Sequence, residues 1–497
     1  MIFDADLMAI QETRQALSDA KDAQKQLARM TQGQIDAIVE SMARAAEAEA
    51  ATLGELAAEE TGFGNPADKK AKNLFVARDV YGAIKDMPTV GIVRKDDARR
   101  VWEIAQPMGV VAAIVPSTNP TSTVIFKCLI ALKARNAIVV SPHPSALRCS
   151  LEAARAMAKA AEKAGAPPGA ISCLSRPSLE ATQELMRHKL TDVVLATGGS
   201  AMVKAAYSSG KPAYGVGPGN VPVYVHRSAD LSRAARLIVQ SKTFDYGTIC
   251  ASEQAIVVDG DVKHRLKDEL ERQGAYFLSA AEKAKVAGVL LAPSGRGMNP
   301  SVVGRSPKVI AERAGIAIPE GARVLVGEET EVGLKHPFST EKLCSVLALY
   351  EVRDWREGSV RCNELLELGG MGHTLGIHGE DPEVFEAFGL GMPASRIVVN
   401  GGTTFGGIGA TTGLLPSMTL GCGSFGGNIT TDNIGPMHLM NIKRVAFGIR
   451  EMPDPEEDGL VRKTADRATS SAGGKMGISR EEVTRIVRQL LDDMQIR

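Results

Sequence analysis

Three short, uninterrupted apolar runs, each followed by a polar turn and then a helix-forming stretch, constrain this chain most. They are Gly109-Val-Val-Ala-Ala-Ile-Val-Pro116, Ala137-Ile-Val-Val-Ser141 and Asp192-Val-Val-Leu-Ala196. Runs of this length without polar alternation suit strands covered on both faces, as in a parallel sheet. The turns after them are Ser117-Thr-Asn-Pro-Thr, Pro142-His-Pro and Thr197-Gly-Gly-Ser200, followed by helical stretches at about 124–135, 147–164 and 201–208. Strand–turn–helix alternation predicts a doubly wound α/β domain, whose ligands lie at the carboxyl ends of the strands. All three turns fall at such ends.

Around this frame, residues from about 10 to 58 read as long amphipathic helices, and 90–104 as an extended, partly exposed ribbon. A second α/β region is expected from about 231 to 393, and the glycine-dense stretch 398–428 as ordered loops packed near a site. At 497 residues, two or three domains are expected. Lys plus Arg equals Asp plus Glu at 58 each, so no overall field attracts nucleic acid or an anionic membrane. The seven cysteines form no Cys-x-x-Cys pair and the eight histidines no ligand pair, which argues against a disulfide framework and a metal site. The start Met1-Ile-Phe-Asp-Ala-Asp lacks the basic-then-apolar order of a signal peptide, and a cytoplasmic protein is expected.

Within Thr243-Phe-Asp-Tyr-Gly-Thr-Ile-Cys-Ala-Ser-Glu-Gln254, Cys250 sits on a small-residue turn before the strand-like run 254–259. A thiol so presented can be a nucleophile, its pKa lowered by neighbouring backbone N–H groups. Taken alone, it is more often a buried, inert cysteine. Asn119 could donate to an oxyanion, or simply serve as the turn residue before Pro120. Thr197-Gly-Gly-Ser200 could let backbone N–H groups approach a phosphate, although it is not a full Gly-x-Gly-x-x-Gly fingerprint. The turn Gly215-Val-Gly-Pro-Gly-Asn220 precedes a strand at 221–225, and Glu341 could accept from ribose hydroxyls or be solvated.

In this order, from about 10 to 450, the segments resemble the aldehyde dehydrogenase superfamily, and more closely its CoA-acylating branch. The resemblance implies that Cys250 is the nucleophile and Asn119 an oxyanion donor. It implies cofactor contacts at Ser117, Thr118, His143, Pro144, Thr197, Gly198, Gly199, Ser200, Val216, Gly217, Glu341 and Leu343. Substrate contacts are implied at Ile249, Ala251 and Phe425, the last within Ser424-Phe-Gly-Gly427, a motif resembling one that lines the family's substrate funnel. Hydrolytic members carry a water-activating Glu where this chain has Val216. Without that base, water attacks a thioester poorly, whereas a CoA thiolate needs little help. Ser141-Pro-His-Pro, with His143 and Ala146, replaces the ribose-binding Lys and Glu of hydrolytic members, leaving NAD and NADP both open.

The resemblance further implies a cofactor-binding domain over 1–89 and 107–228, a catalytic cysteine domain over 229–428, and an oligomerisation element over 90–106 and 429–450, with a homodimer or homotetramer expected. The composition of 451–478 reads as a linker. Over 479–497, Ser479 and Glu482 form a capping box, and Val483, Ile486, Val487, Leu490, Leu491 and Met494 make one apolar stripe. That helix could dock on its own subunit. It also resembles the encapsulation peptides of bacterial microcompartment enzymes, which implies a shell-protein partner and a place in the compartment lumen. The expected activity is oxidation of a short aldehyde, acetaldehyde or propionaldehyde, by NAD⁺ and CoA to acyl-CoA. Rival readings are an acylating enzyme for succinate semialdehyde or sulfoacetaldehyde, a hydrolytic aldehyde dehydrogenase, and a shell-docking scaffold.

Overall fold

The computed structural model describes residues 4–292, 299–452 and 485. Helices Ala5–Leu27, Gln32–Ala48, Ala50–Thr61 and Pro66–Phe75 come first, with buried faces spaced as in Ile35, Ile38, Val39, Met42 and Ala46. The ribbon follows as β1 (Gly91–Asp96) and β2 (Val101–Pro107). A parallel five-stranded sheet is made of β3 (Val110–Ile114), β4 (Ala137–Ser141), β5 (Ile171–Cys173), β6 (Val193–Thr197) and β7 (Ala213–Val216), in the order β5-β4-β3-β6-β7. The three apolar runs are thus β3, β4 and β6. Every residue of β3 and β4 is buried, as their composition demands.

The strand order reverses between β3 and β6, which pair with Ile114 opposite Ala196. The turns after these two strands, 117–119 and 197–200, therefore flank the switch-point crevice of a doubly wound sheet. Helix Pro120–Lys133, which follows β3, is buried on every face. Its Lys127 is satisfied by donating to the carbonyls of Ile114 and Leu195 at 2.6 and 2.8 Å.

A second, seven-stranded parallel sheet contains β8 (Val221–Val225), β9 (Glu253–Asp259), β10 (Ala275–Phe277), β11 (Val324–Glu329), β12 (Val346–Val352), β13 (Gly372–His378) and β14 (Ala394–Val399), in the order β10-β11-β12-β9-β8-β13-β14. β8 pairs with β9 and β13, so the chain passes between sheets at 217–220, ahead of the boundary expected at 228. The cause is local. Pro218 cannot donate to a ladder, and Gly217 and Gly219 let the chain turn between β7 and β8.

β15 (Met440–Ala446) joins the ribbon in the order β1-β2-β15. Among the described residues, 95–102 and 445–452 form a small unit of their own. Within it, the Trp102 ring meets Phe447 edge-on at 5.2 Å and carries the Lys95 ammonium over its face at 4.7 Å. The linker expected over 451–478 and the helix expected over 479–497 lie, apart from residues 451, 452 and 485, outside the described residues. Among the described residues no helix is long and apolar enough to cross a membrane, and no group of three His, Cys, Asp or Glu could hold a metal ion.

Candidate active site

Helix Leu231–Thr243 is followed by three residues in the left-handed region, Asp245, Tyr246 and Gly247 at φ 48°, 51° and 74°. Left-handed backbone at two non-glycine residues in a row persists only where its surroundings hold it. Here the fully buried Asp245 carboxylate is the anchor. It accepts from the Asn65 N–H at 2.9 Å, the Thr248 hydroxyl at 2.7 Å, the Lys69 ammonium at 3.0 Å and the Lys72 ammonium. Burial alone would raise the Asp245 pKa, but Lys72 and Lys69 outweigh it and hold the carboxyl below its ordinary range. The strained turn hands the chain to Thr248, Ile249 and Cys250, just ahead of β9.

Cys250 is half-buried, while Ile249 and Ala251 on either side are sunk in the core. Burial, with the Glu341 carboxylate adding to it, pushes the Cys250 thiol up to about 12. This reverses the lowering expected from backbone N–H groups alone, because desolvation and a nearby anion both penalise a thiolate. Arg396 pulls the other way. Its guanidinium is buried and donates to the Gly421 and Thr431 carbonyls.

Asn119 is the N-cap of helix Pro120–Lys133, yet its side chain makes no capping hydrogen bond. Its Nδ2 instead donates to the Thr248 carbonyl and to the Thr118 hydroxyl, both at 3.2 Å, and its Oδ1 accepts from Lys72. The amide is thus tied directly to the Cys250 turn. Thr118 is held in turn by Lys69, which donates to its carbonyl at 3.1 Å.

On the other side of Cys250, Glu341 Oε1 accepts from the Gly219 N–H at 2.9 Å. Burial raises the Glu341 carboxyl to about 7, against the opposing pull of that N–H, Lys242 and Lys342. Leu343, two residues on, is left-handed at φ 46°. Gly219 is wedged in place: a Cβ there would lie 2.3 Å from the Cys250 carbonyl oxygen and 3.1 Å from the His373 ring. His373 was not legible as a site residue. It is fully buried on β13, burial pushes its pKa down to about 3, and its Nε2 has no partner. A histidine within the strand-like run Gly372–His378 was the signal available for it.

Val216 closes β7, is buried and pairs in register with Thr197, the last residue of β6. The expected phosphate turn follows, with Gly199 as N-cap of helix Ser200–Tyr207. A Cβ at Gly199 or at Gly217 would meet nothing within 4 Å, so packing does not require glycine at either position. Both border open space. Ser200, Gly217, Cys422 and Phe425 line one groove of about 510 Å³. A separate apolar recess of about 300 Å³ is lined by Lys72, Phe75, Phe244, Phe405 and Ile408. The glycine-dense stretch expected to pack near a site therefore serves both. Phe405 and Ile408 face the recess, whereas the exposed Phe425 faces the groove. His143 and Pro144 are exposed at the end of β4, where the His143 ring meets the Ser145 hydroxyl at 2.8 Å.

Known proteins share this architecture. A crystal structure of an acetylating aldehyde dehydrogenase from Geobacillus thermoglucosidasius is 63% identical, covers 91% of this chain and all of that one, and superposes with a TM-score of 0.90. A propionaldehyde dehydrogenase from Rhodopseudomonas palustris, crystallised with bound CoA and an acylated cysteine, is 27% identical over 88% of this chain and 97% of its own, with a TM-score of 0.80. An aldehyde-alcohol dehydrogenase of Clostridium acetobutylicum is 43% identical over 88% of this chain but 51% of its own length. The chain thus spans about half the length of the curated relatives it matches first. Residues 2–341 match the Aldehyde dehydrogenase family, which takes in most of the sequence and both strand-end turns as well as Cys250. The chain belongs to the aldehyde dehydrogenase family.

Proposed function

We propose that this enzyme oxidises a short, uncharged aldehyde to an acyl group on Cys250 and transfers that group to CoA. The observation that carries the reading is Val216. At the turn where a hydrolytic enzyme needs a carboxylate, this chain buries an isopropyl group.

The residues fit a dinucleotide and then CoA. Gly199 and Gly217 leave backbone open beside the groove, and the N-terminus of helix Ser200–Tyr207 offers unpaired N–H groups to phosphate. The dinucleotide, when bound, supplies the hydride acceptor. In the forward direction the Cys250 sulfur adds to the aldehyde carbon as its thiol proton leaves for solvent. An Asn119 N–H leaves the Thr118 hydroxyl for the new oxyanion, while the Thr248 carbonyl keeps the amide in place. Loss of hydride leaves an acyl-cysteine. The CoA thiolate then adds to the same carbonyl, the same amide holds the oxyanion, and the Cys250 thiolate departs.

The recess supports a small neutral aldehyde. Its two cations are engaged, Lys72 with Asp245 and Arg78 with Glu47 at 2.7 Å, and Asp79 on its wall would repel a carboxylate. Initial rates with NAD⁺ and CoA should be highest for two- and three-carbon aldehydes. Succinate semialdehyde should give a kcat/KM at least about 10-fold lower, the scale of one unfavourable polar contact. Preference for the acidic aldehyde would contradict this assignment of the recess.

A further inference from the structure

We propose that Lys72, anchored by Asp245, is a positioning residue that fixes the Asn119 amide with its N–H face towards the carbonyl carried on Cys250. The proposal rests on the reading of Asn119 as an oxyanion donor and adds what makes it one. An asparagine at a helix N-cap ordinarily turns its side-chain oxygen back onto the N–H groups of the first turn. In that pose Asn119 would aim its oxygen at its own helix and leave its N–H groups undirected. Here it does not cap.

The reason lies on another helix. An ammonium only donates, so the Asn119 atom facing Lys72 must be its oxygen; a carbonyl only accepts, so the atom facing Thr248 must be its nitrogen. The two contacts admit one orientation. An ammonium on the amide oxygen also draws electron density from the nitrogen, which makes the N–H groups stronger donors.

Lys72 is itself fully specified. Its three hydrogens go to Asn119, Asp245 and the Thr248 hydroxyl, the last at 2.8 Å. Lys69, one turn earlier on helix Pro66–Phe75, already neutralises Asp245. A second ammonium is therefore not needed to balance that carboxylate. It is kept despite burial, which pushes Lys72 down to about 8 against the pull of Asp245. A second buried ammonium is costly to desolvate, and Asp68, which accepts from the Asp245 N–H at 2.7 Å, offsets that cost only in part from a half-buried position. Contact with Asn119 is what the second ammonium adds.

The test compares Lys72→Met, Asn119→Ala and the double variant in the full chain, with aldehyde, NAD⁺ and CoA. Asn119→Ala should lower kcat by roughly 10²–10³, the usual loss for one oxyanion donor. Lys72→Met should lower kcat by about 10–100-fold, with KM for the dinucleotide kept within about threefold. Because both act through one amide, the double variant should fall within about threefold of Asn119→Ala. Alkylation of Cys250 by iodoacetamide should stay within about twofold in Lys72→Met, since the turn itself is still held by Lys69. Lys72→Gln should show the same non-additivity and replaces the Met variant if that one does not fold. A wild-type kcat in Lys72→Met, multiplicative losses, or a matching fall in alkylation would overturn the proposal. A wild-type kcat in Asn119→Ala would instead remove the oxyanion reading beneath it.

Discussion

Cys250→Ala should lower acyl-CoA formation by roughly 10⁴-fold or more, the scale seen when a covalent nucleophile is removed from an otherwise intact site. The loss should fall on kcat, because the groove and the recess are lined by other residues. Folding should be spared: the side chain is half-buried, and the turn is held by Asp245, five residues earlier and in direct contact with Thr248. The wild-type thiol should also be slow to alkylate near neutral pH without dinucleotide, because burial and Glu341 hold it near 12. Steady-state acyl-CoA production by Cys250→Ala above about 1% of wild type would mean that the acyl group does not travel through this thiol.

Gly219→Ala carries the next largest expected effect, for a purely steric reason. The added methyl would sit 2.3 Å from the Cys250 carbonyl oxygen, a backbone atom, so it cannot be absorbed by rotating a side chain. The Cys250 turn, the Glu341 contact to the Gly219 N–H, or both must move. A displacement of about 1 Å at a reacting centre costs about 10²-fold in rate, so kcat should fall by that order. Gly33→Ala is the matched control: a Cβ there meets nothing within 4 Å on helix Gln32–Ala48, and activity should be unchanged. Gly219→Ala with wild-type kcat would show that the Cys250 backbone is not held where the chemistry needs it.

How much of this was legible in the sequence depends on the range of the contacts involved. β3, β4 and β6 were readable because burial on both faces writes itself into consecutive residues. The Cys250 turn was readable because small residues and a following apolar run are local features. The passage of β8 into the second sheet was not, since nothing within Val221–Val225 states which sheet will pair with it. The Lys69–Lys72–Asp245 cluster was hidden for a related reason. Asp245 lies more than 170 positions from the two lysines, and lysines three residues apart on an amphipathic helix read as solvent-facing. Only the fold brings them together under Asn119. The thiol's raised pKa was misjudged on the same ground, because backbone N–H groups are visible in a sequence and desolvation is not.

On the proposed function, the acyl group on Cys250 waits for CoA. Steady-state turnover of acetaldehyde with NAD⁺ should be followed with and without CoA, quantifying acetyl-CoA, acetate and NADH together. With CoA, acetyl-CoA should match NADH one for one. Without it, NADH should stop after about one equivalent per Cys250 and acetate should form at least about 100-fold more slowly, since Val216 offers water no base. Sustained acetate formation without CoA, at a rate comparable to acetyl-CoA formation with it, would contradict the account and point to a relocated base, for which Glu341 at about 7 is the candidate.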